Sequence, residues 1–104
     1  MMTIFKAAFI FIAPEASPST DFTWIKTKNV HLKTVGVKTY KEACELLDTL
    51  HSEGIQAVEL CAGFGNQGVS EITKASAGRL NIGVVRFDNH PCLNNTSGDS
   101  LFNK

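Results

Sequence analysis

The sequence predicts an α/β fold, a small four-stranded, mainly parallel sheet with helices on its faces, flavodoxin-like or half-Rossmann in layout. Three observations predict it. Strand-like and helix-like stretches alternate along the chain, the pattern of a parallel sheet joined by helical crossovers. The first strand, Ile4 to Ile12, is an almost unbroken apolar run rich in Phe and Ile, as a central strand covered on both faces requires. A second apolar strand ends at Cys61 and runs into the glycine-rich turn Gly63-Phe-Gly-Asn-Gln-Gly68, which opens into a helix.

The chain has 104 residues, 43% of them hydrophobic, enough for one domain over 1–104 with a core of its own. Ten basic residues balance ten acidic ones. With no basic run, the chain lacks the electrostatic footprint of a nucleic-acid binder, and near-zero net charge favours a homo-oligomer. The three cysteines, Cys44, Cys61 and Cys92, are odd in number and form no CxxC, which argues against a disulfide framework or a zinc ribbon and for a cytoplasmic protein. No run reaches the ~18 apolar residues of a membrane span. The seven apolar residues after Lys6 are read as a core strand and not as a signal peptide.

Taken in order, residues 13–30 are expected to hold a helix after a start punctuated by Pro14 and Pro18. Ser17 would cap it, Pro18 would take its first position, and Phe22 and Ile25 would face the core. An irregular loop plugged by Trp24 is the alternative, and without the helix the fold becomes a mixed-sheet α+β. His31 to Val37 alternates as an edge strand, with His31, Lys33, Val35 and Val37 on one side. Thr39-x-x-Glu42 is a capping box for a helix whose stripe is Tyr40, Ala43, Cys44, Leu47 and Leu50, and Gly54 is its left-handed stop. Cys44 reads as a small buried hydrophobe. Ile55 to Cys61 is the next strand, Val69, Ile72, Thr73 and Ser76 mark a helix ending at Gly78, and Asn81 to Phe87 is the last strand. Residues 88–104 are a polar tail packing near the site, with Leu101 and Phe102 available to pin it. The expected strand order, counting these four, is 2-1-3-4.

Ligands of open parallel sheets bind beyond the carboxyl ends of the strands. Two motifs should meet there, the turn after Cys61 and Gly83-Val-Val-Arg-Phe-Asp-Asn-His-Pro91. Gly63, Gly65 and Gly68 allow close backbone approach and positive φ, and the helix start beyond them suits an anion. Gly63, Phe64, Gly65, Asn66, Gly68 and Arg86 are therefore the expected ligand-binding residues, for a small anionic or polar ligand. Asp88 lies twenty residues beyond Gly68, as in a dinucleotide fingerprint, but the chain is too short for two mononucleotide halves, and no cofactor is expected.

Glu59, inside an apolar strand, needs a partner, and Arg86 on the neighbouring strand is the expected one. The alternative function is an acid–base enzyme of isomerase or lyase type, using Glu59, Asp88 and His90 with Arg86 orienting the substrate. Asp88, His90 and Cys92 alternate and would share one side of an extended segment, but their spacing matches no recognised zinc site, so no metal is expected. Cys61 or Cys92 as a nucleophile with His90 as base, and a non-catalytic assembly module, complete the alternatives.

Glu-Leu-Cys-Ala-Gly-Phe-Gly (59–65) and Gly-Val-Val-Arg-Phe-Asp-Asn-His-Pro (83–91), with Ala-Ala-Phe-Ile-Phe-Ile-Ala-Pro-Glu-Ala near the start, resemble a family of small bacterial proteins of unknown function. The resemblance spans essentially the whole chain. It implies a cytoplasmic single-domain protein and brings no substrate, cofactor or catalytic residue. Glu-Gly-Ile-Gln-Ala-Val-Glu (53–59) is similar to strand entries of barrel aldolases, an analogy of local pattern alone.

Overall fold

A computed structural model describes residues 3–103. The strands β1 (Phe5–Ile12), β2 (Phe22–Lys26), β3 (Val30–Val37), β4 (Ala57–Leu60) and β5 (Asn81–Val84) form one sheet in the order β2-β3-β1-β4-β5. β3, β1, β4 and β5 are mutually parallel, and β2 joins β3 antiparallel. The α/β reading and the expected order of the four parallel strands are both found, with a fifth strand added at one edge.

That fifth strand is the main departure. Residues 22–26 form β2 and not the expected helix. Phe-Thr-Trp-Ile-Lys is aromatic and β-branched, which suits a pleated surface. The Ser17 N–H donates to the Asp21 carboxylate at 2.8 Å, closing a turn before the strand. Thr27 closes the hairpin to β3, its N–H and Oγ1 donating to the Val30 carbonyl at 2.9 and 2.8 Å. Consequently β3 is an interior strand and not an edge. Phe22 and Ile25, assigned to the core, are exposed, and it is Trp24 that packs against the core.

Helix α1 (Tyr40–Ser52) starts where the capping box places it. Thr39 Oγ1 accepts from the Glu42 N–H at 3.1 Å, while the Glu42 carboxylate reaches back to the Lys38 N–H at 2.9 Å. Gly54, at φ 87°, ends it in the left-handed region. Helix α2 (Asn66–Ser76) follows β4 and stops at the left-handed pair Ala77-Gly78. Both helices cover the same face of the sheet. Ala8, Ile10 and Ile12 of β1, Val35 and Val37 of β3, and Val58 and Leu60 of β4 form one core with Tyr40, Ala43, Leu47, Leu50 and Ile72. Cys44 borders this core, and burial raises its thiol pKa, with the Glu71 and Glu45 charges adding to the rise.

Lys33 lies on the helix-covered face and is only 5% exposed. Its ammonium donates to the Glu53 carboxylate at 2.9 and 3.1 Å and stands 5.0 and 5.8 Å from the Phe22 and Trp24 ring centres. A paired charge walled by two aromatic faces is the tolerable way to bury a lysine.

Because the four parallel strands run the same way, their carboxyl ends share one edge. The C-terminal segment folds there. It contains a single 3-10 turn, Pro91–Leu93, and the short helix α3 (Asp99–Phe102), whose Phe102 enters the core.

Candidate functional site

The turn after β4 and the segment after β5 lie side by side, as neighbouring strands require. Together they wall a cavity of about 260 Å³. Phe64, Gly65, Asn66 and Val69 line one side, Val84, Arg86, Phe87 and Asp88 the other, and Ser97 closes it. Phe64 is buried and stacks on Tyr40 with ring centres 5.6 Å apart, so the turn rests on the core by its aromatic residue.

The positive φ expected of the glycines in the turn is not found. Gly63, Gly65 and Gly68 all lie outside the positive-φ region. What they supply is room. A Cβ on Gly65 would fall within 2.3 Å of the Asp99 carboxylate, and one on Gly68 within 2.6 Å of the Tyr40 ring. A Cβ on Gly98 would stand 1.6 Å from the Gly63 carbonyl oxygen, so the C-terminal segment crosses the turn at backbone contact.

Asp99 is the residue that sequence reasoning missed. Its carboxylate sits on the N-terminus of α2, accepting from the Gln67 N–H at 3.2 Å and the Gly68 N–H at 3.4 Å. The Tyr40 hydroxyl donates to it at 2.9 Å and accepts from the Gly65 N–H at 3.1 Å. The helix start therefore holds an anion, as its free donors and partial positive charge favour, and the anion belongs to the chain itself. Burial raises the Tyr40 pKa well above the usual phenol range. The Gly65 N–H works against that rise, and the Asp99 carboxylate adds to it. Only the apolar pair Leu101-Phe102 hinted that residues near Asp99 dock.

Arg86 does not pair with Glu59. Its Nε donates to Asp88 at 2.9 Å, and both side chains are mostly exposed. Glu59 points to the opposite, helix-free face of the sheet, between Phe9 on β1 and Gly83 on β5, and is exposed. The outward direction removes the need for a buried partner.

The three residues of the acid–base reading line no common cavity. Asp88 borders the 260 Å³ cavity, whereas His90 borders a second one of about 450 Å³, and Glu59 lines neither. The second cavity is largely apolar, walled by Ile12, Pro14, Leu93, Leu101 and Phe102, and it also receives Cys61, His90 and Cys92. His90 Nδ1 accepts from the Cys92 N–H at 3.1 Å. In the neutral ring this bond puts the proton on Nε2. Among the described residues no three His, Cys, Asp or Glu side chains are placed to hold a metal ion, Asp88, His90 and Cys92 included. No helix of the described residues is long and apolar enough to cross a membrane.

No match was found among curated proteins or among solved structures. A family model does match, and it spans residues 5–100, both motifs and the segment carrying Asp99 included. By that match over nearly its whole length, the chain belongs to a family of unknown function, DUF6506.

Proposed function

We propose that the protein binds a small polar ligand carrying a carboxylate or phosphate group in the 260 Å³ cavity, with Arg86 as the anion-holding residue. One observation carries the reading. Among the described residues Arg86 is engaged only through Nε, its two terminal nitrogens making no hydrogen bond there, and it lines a cavity walled by both motifs. A guanidinium presents a planar fork that suits carboxylate and phosphate oxygens. The Arg86–Asp88 pair is exposed, and such pairs contribute only ~0–1 kcal/mol, so a ligand displaces Asp88 at little cost. Asn66 and Ser97 supply neutral polar groups, and Phe64, Val69 and Phe87 an apolar wall, the usual make-up of a small-ligand site. The volume suits a ligand of few heavy atoms. The α2 N-terminus already carries Asp99, so the ligand's anionic group is assigned to Arg86 and not to the helix start.

A thermal-shift screen of small phosphorylated and carboxylated compounds tests this. A ligand present at a hundredfold over its dissociation constant stabilises the fold by about 2.7 kcal/mol. Arg86→Ala should abolish the shift, and Asp88→Ala, which frees the guanidinium, should strengthen it. A ligand that stabilises Arg86→Ala as well as wild type would refute the assignment, as would a screen with no shift at millimolar concentrations.

A further inference from the structure

The two helices leave the other face of the sheet bare. The side chains there follow from strand alternation. Phe5, Ala7, Phe9 and Phe11 of β1 point to it, with Val30, Leu32 and Thr34 of β3, Thr23 and Ile25 of β2, and Ala57 and Glu59 of β4. Phe5 is 43% exposed, Val30 40% and Ile25 55%. A Cβ built on Gly83, also on this face, meets nothing. Sheets that face water on one side normally alternate apolar-in with polar-out, and mainly parallel sheets normally have both faces covered. This face is mainly apolar, with Thr23, Thr34, Glu59 and Asn81 its polar members, and no helix covers it, its central Phe9, Phe11 and Leu32 being half-buried among their neighbours.

We infer that a second copy of this chain covers it, face to face about a two-fold axis near the β1–β3 pair. Area, shape and charge support that occupant. Strands of eight, five, eight, four and four residues, at ~3.3 Å per residue and ~4.8 Å spacing, give a flat area of about 460 Å². Two such faces bury about 920 Å² before side-chain relief is counted, just under the ~1,000 Å² that a specific interface needs and above it once that relief is added. A two-fold contact needs a self-complementary face. The rings of Phe5 and Phe9 stand on either side of Ala7, beside Ala57, so one face offers both knob and dent. Among these strand positions Glu59 is the only ionisable side chain. It lies on β4, between Phe9 of β1 and Gly83 of β5. A face without a cation gives nothing to an anionic lipid surface or a nucleic acid. The formal net charge of zero leaves no long-range repulsion between copies. The contact is independent of the Arg86 cavity, which lies at the strand ends.

Sedimentation velocity at micromolar concentration tests the inference. Wild type should run at twice the protomer mass. Phe9→Glu and Ile25→Glu should each run as a monomer with an unchanged far-UV spectrum, weakening the dimer by ~100-fold or more. Ile25 is more than half exposed in the protomer, so its replacement tests the contact even if Phe9→Glu fails to fold. Lys41→Glu, exposed on the helix side, should remain dimeric. A monomeric wild type would overturn the inference, and so would a dimer that survives Ile25→Glu.

Discussion

Removing the Asp99 carboxylate should detach the C-terminal segment from the start of α2. Asp99→Ala deletes the acceptor of three donors: the Tyr40 hydroxyl at 2.9 Å, the Gln67 N–H at 3.2 Å and the Gly68 N–H at 3.4 Å. Hydrogen bonds to a charged group contribute about 1.5–3 kcal/mol each, but the two N–H contacts are long and the helix start can take up water. Loss of a capping group costs about 0.5–2 kcal/mol, and loss of a favourable charge at a helix N-terminus about 0.3–1 kcal/mol. The Tyr40 hydroxyl, on a residue only 1% exposed, keeps just its acceptor role toward Gly65 and gains little from water. Together these give a destabilisation of ~2–3 kcal/mol, which in a domain of this size lowers Tm by roughly 8–20 °C. Calorimetry of the wild type, Asp99→Ala and Asp99→Asn measures it. Asn keeps an acceptor oxygen without the charge and should recover about half of the loss. A change below ~0.5 kcal/mol for Asp99→Ala, the range of an ordinary surface substitution, would refute this account of how the segment is held.

Three further outcomes follow from the packing. Breaking the Lys33–Glu53 pair should be asymmetric: Glu53→Ala strands a buried ammonium and should cost ~2–4 kcal/mol in denaturant melts, whereas Lys33→Met, which removes the buried charge, should cost under ~1 kcal/mol. The raised Tyr40 pKa means the fold favours the neutral phenol, so its contribution is intact below the unfolded phenol pKa of ~10 and is lost as pH rises beyond it; Tyr40→Phe should flatten the stability–pH curve above that point. Gly98→Ala forces the segment off the Gly63 carbonyl, so amide exchange at residues 97–102 should accelerate while the β1 amides stay protected.

The elements legible in the sequence are those whose signals are local and agree with one another. Thr39, Glu42, the apolar stripe and Gly54 all define one helix, and the unbroken run of β1 has no competing reading. Residues 22–26 carry two periods at once. Phe22 and Ile25 stand at helical spacing, while Phe22, Trp24 and Lys26 against Thr23 and Ile25 alternate as in a strand, and the hairpin with β3 decides between them. That decision also moves β3 into the interior and gives Lys33 its two aromatic neighbours, Phe22 and Trp24. The meeting of the two motifs was legible, because neighbouring parallel strands must bring their following turns together. Its contacts were not. Asp99 reaches Tyr40 and Gly68 across 59 and 31 positions of sequence, and no local pattern announces so distant a contact. The bare sheet face was hidden by its own composition. A continuous apolar strand reads the same whether helices or a second protomer covers its other side.

The measurement that bears most directly on the ligand assignment is a ¹⁵N NMR titration that follows the Arg86 side chain together with the backbone amides of Gly65, Asn66 and Ser97, using inorganic phosphate and then citrate as probes. Saturable shifts confined to these groups, absent in Arg86→Ala and enhanced in Asp88→Ala, are the expected result. Saturable shifts that persist in Arg86→Ala, or none for either probe at millimolar concentration, would contradict it.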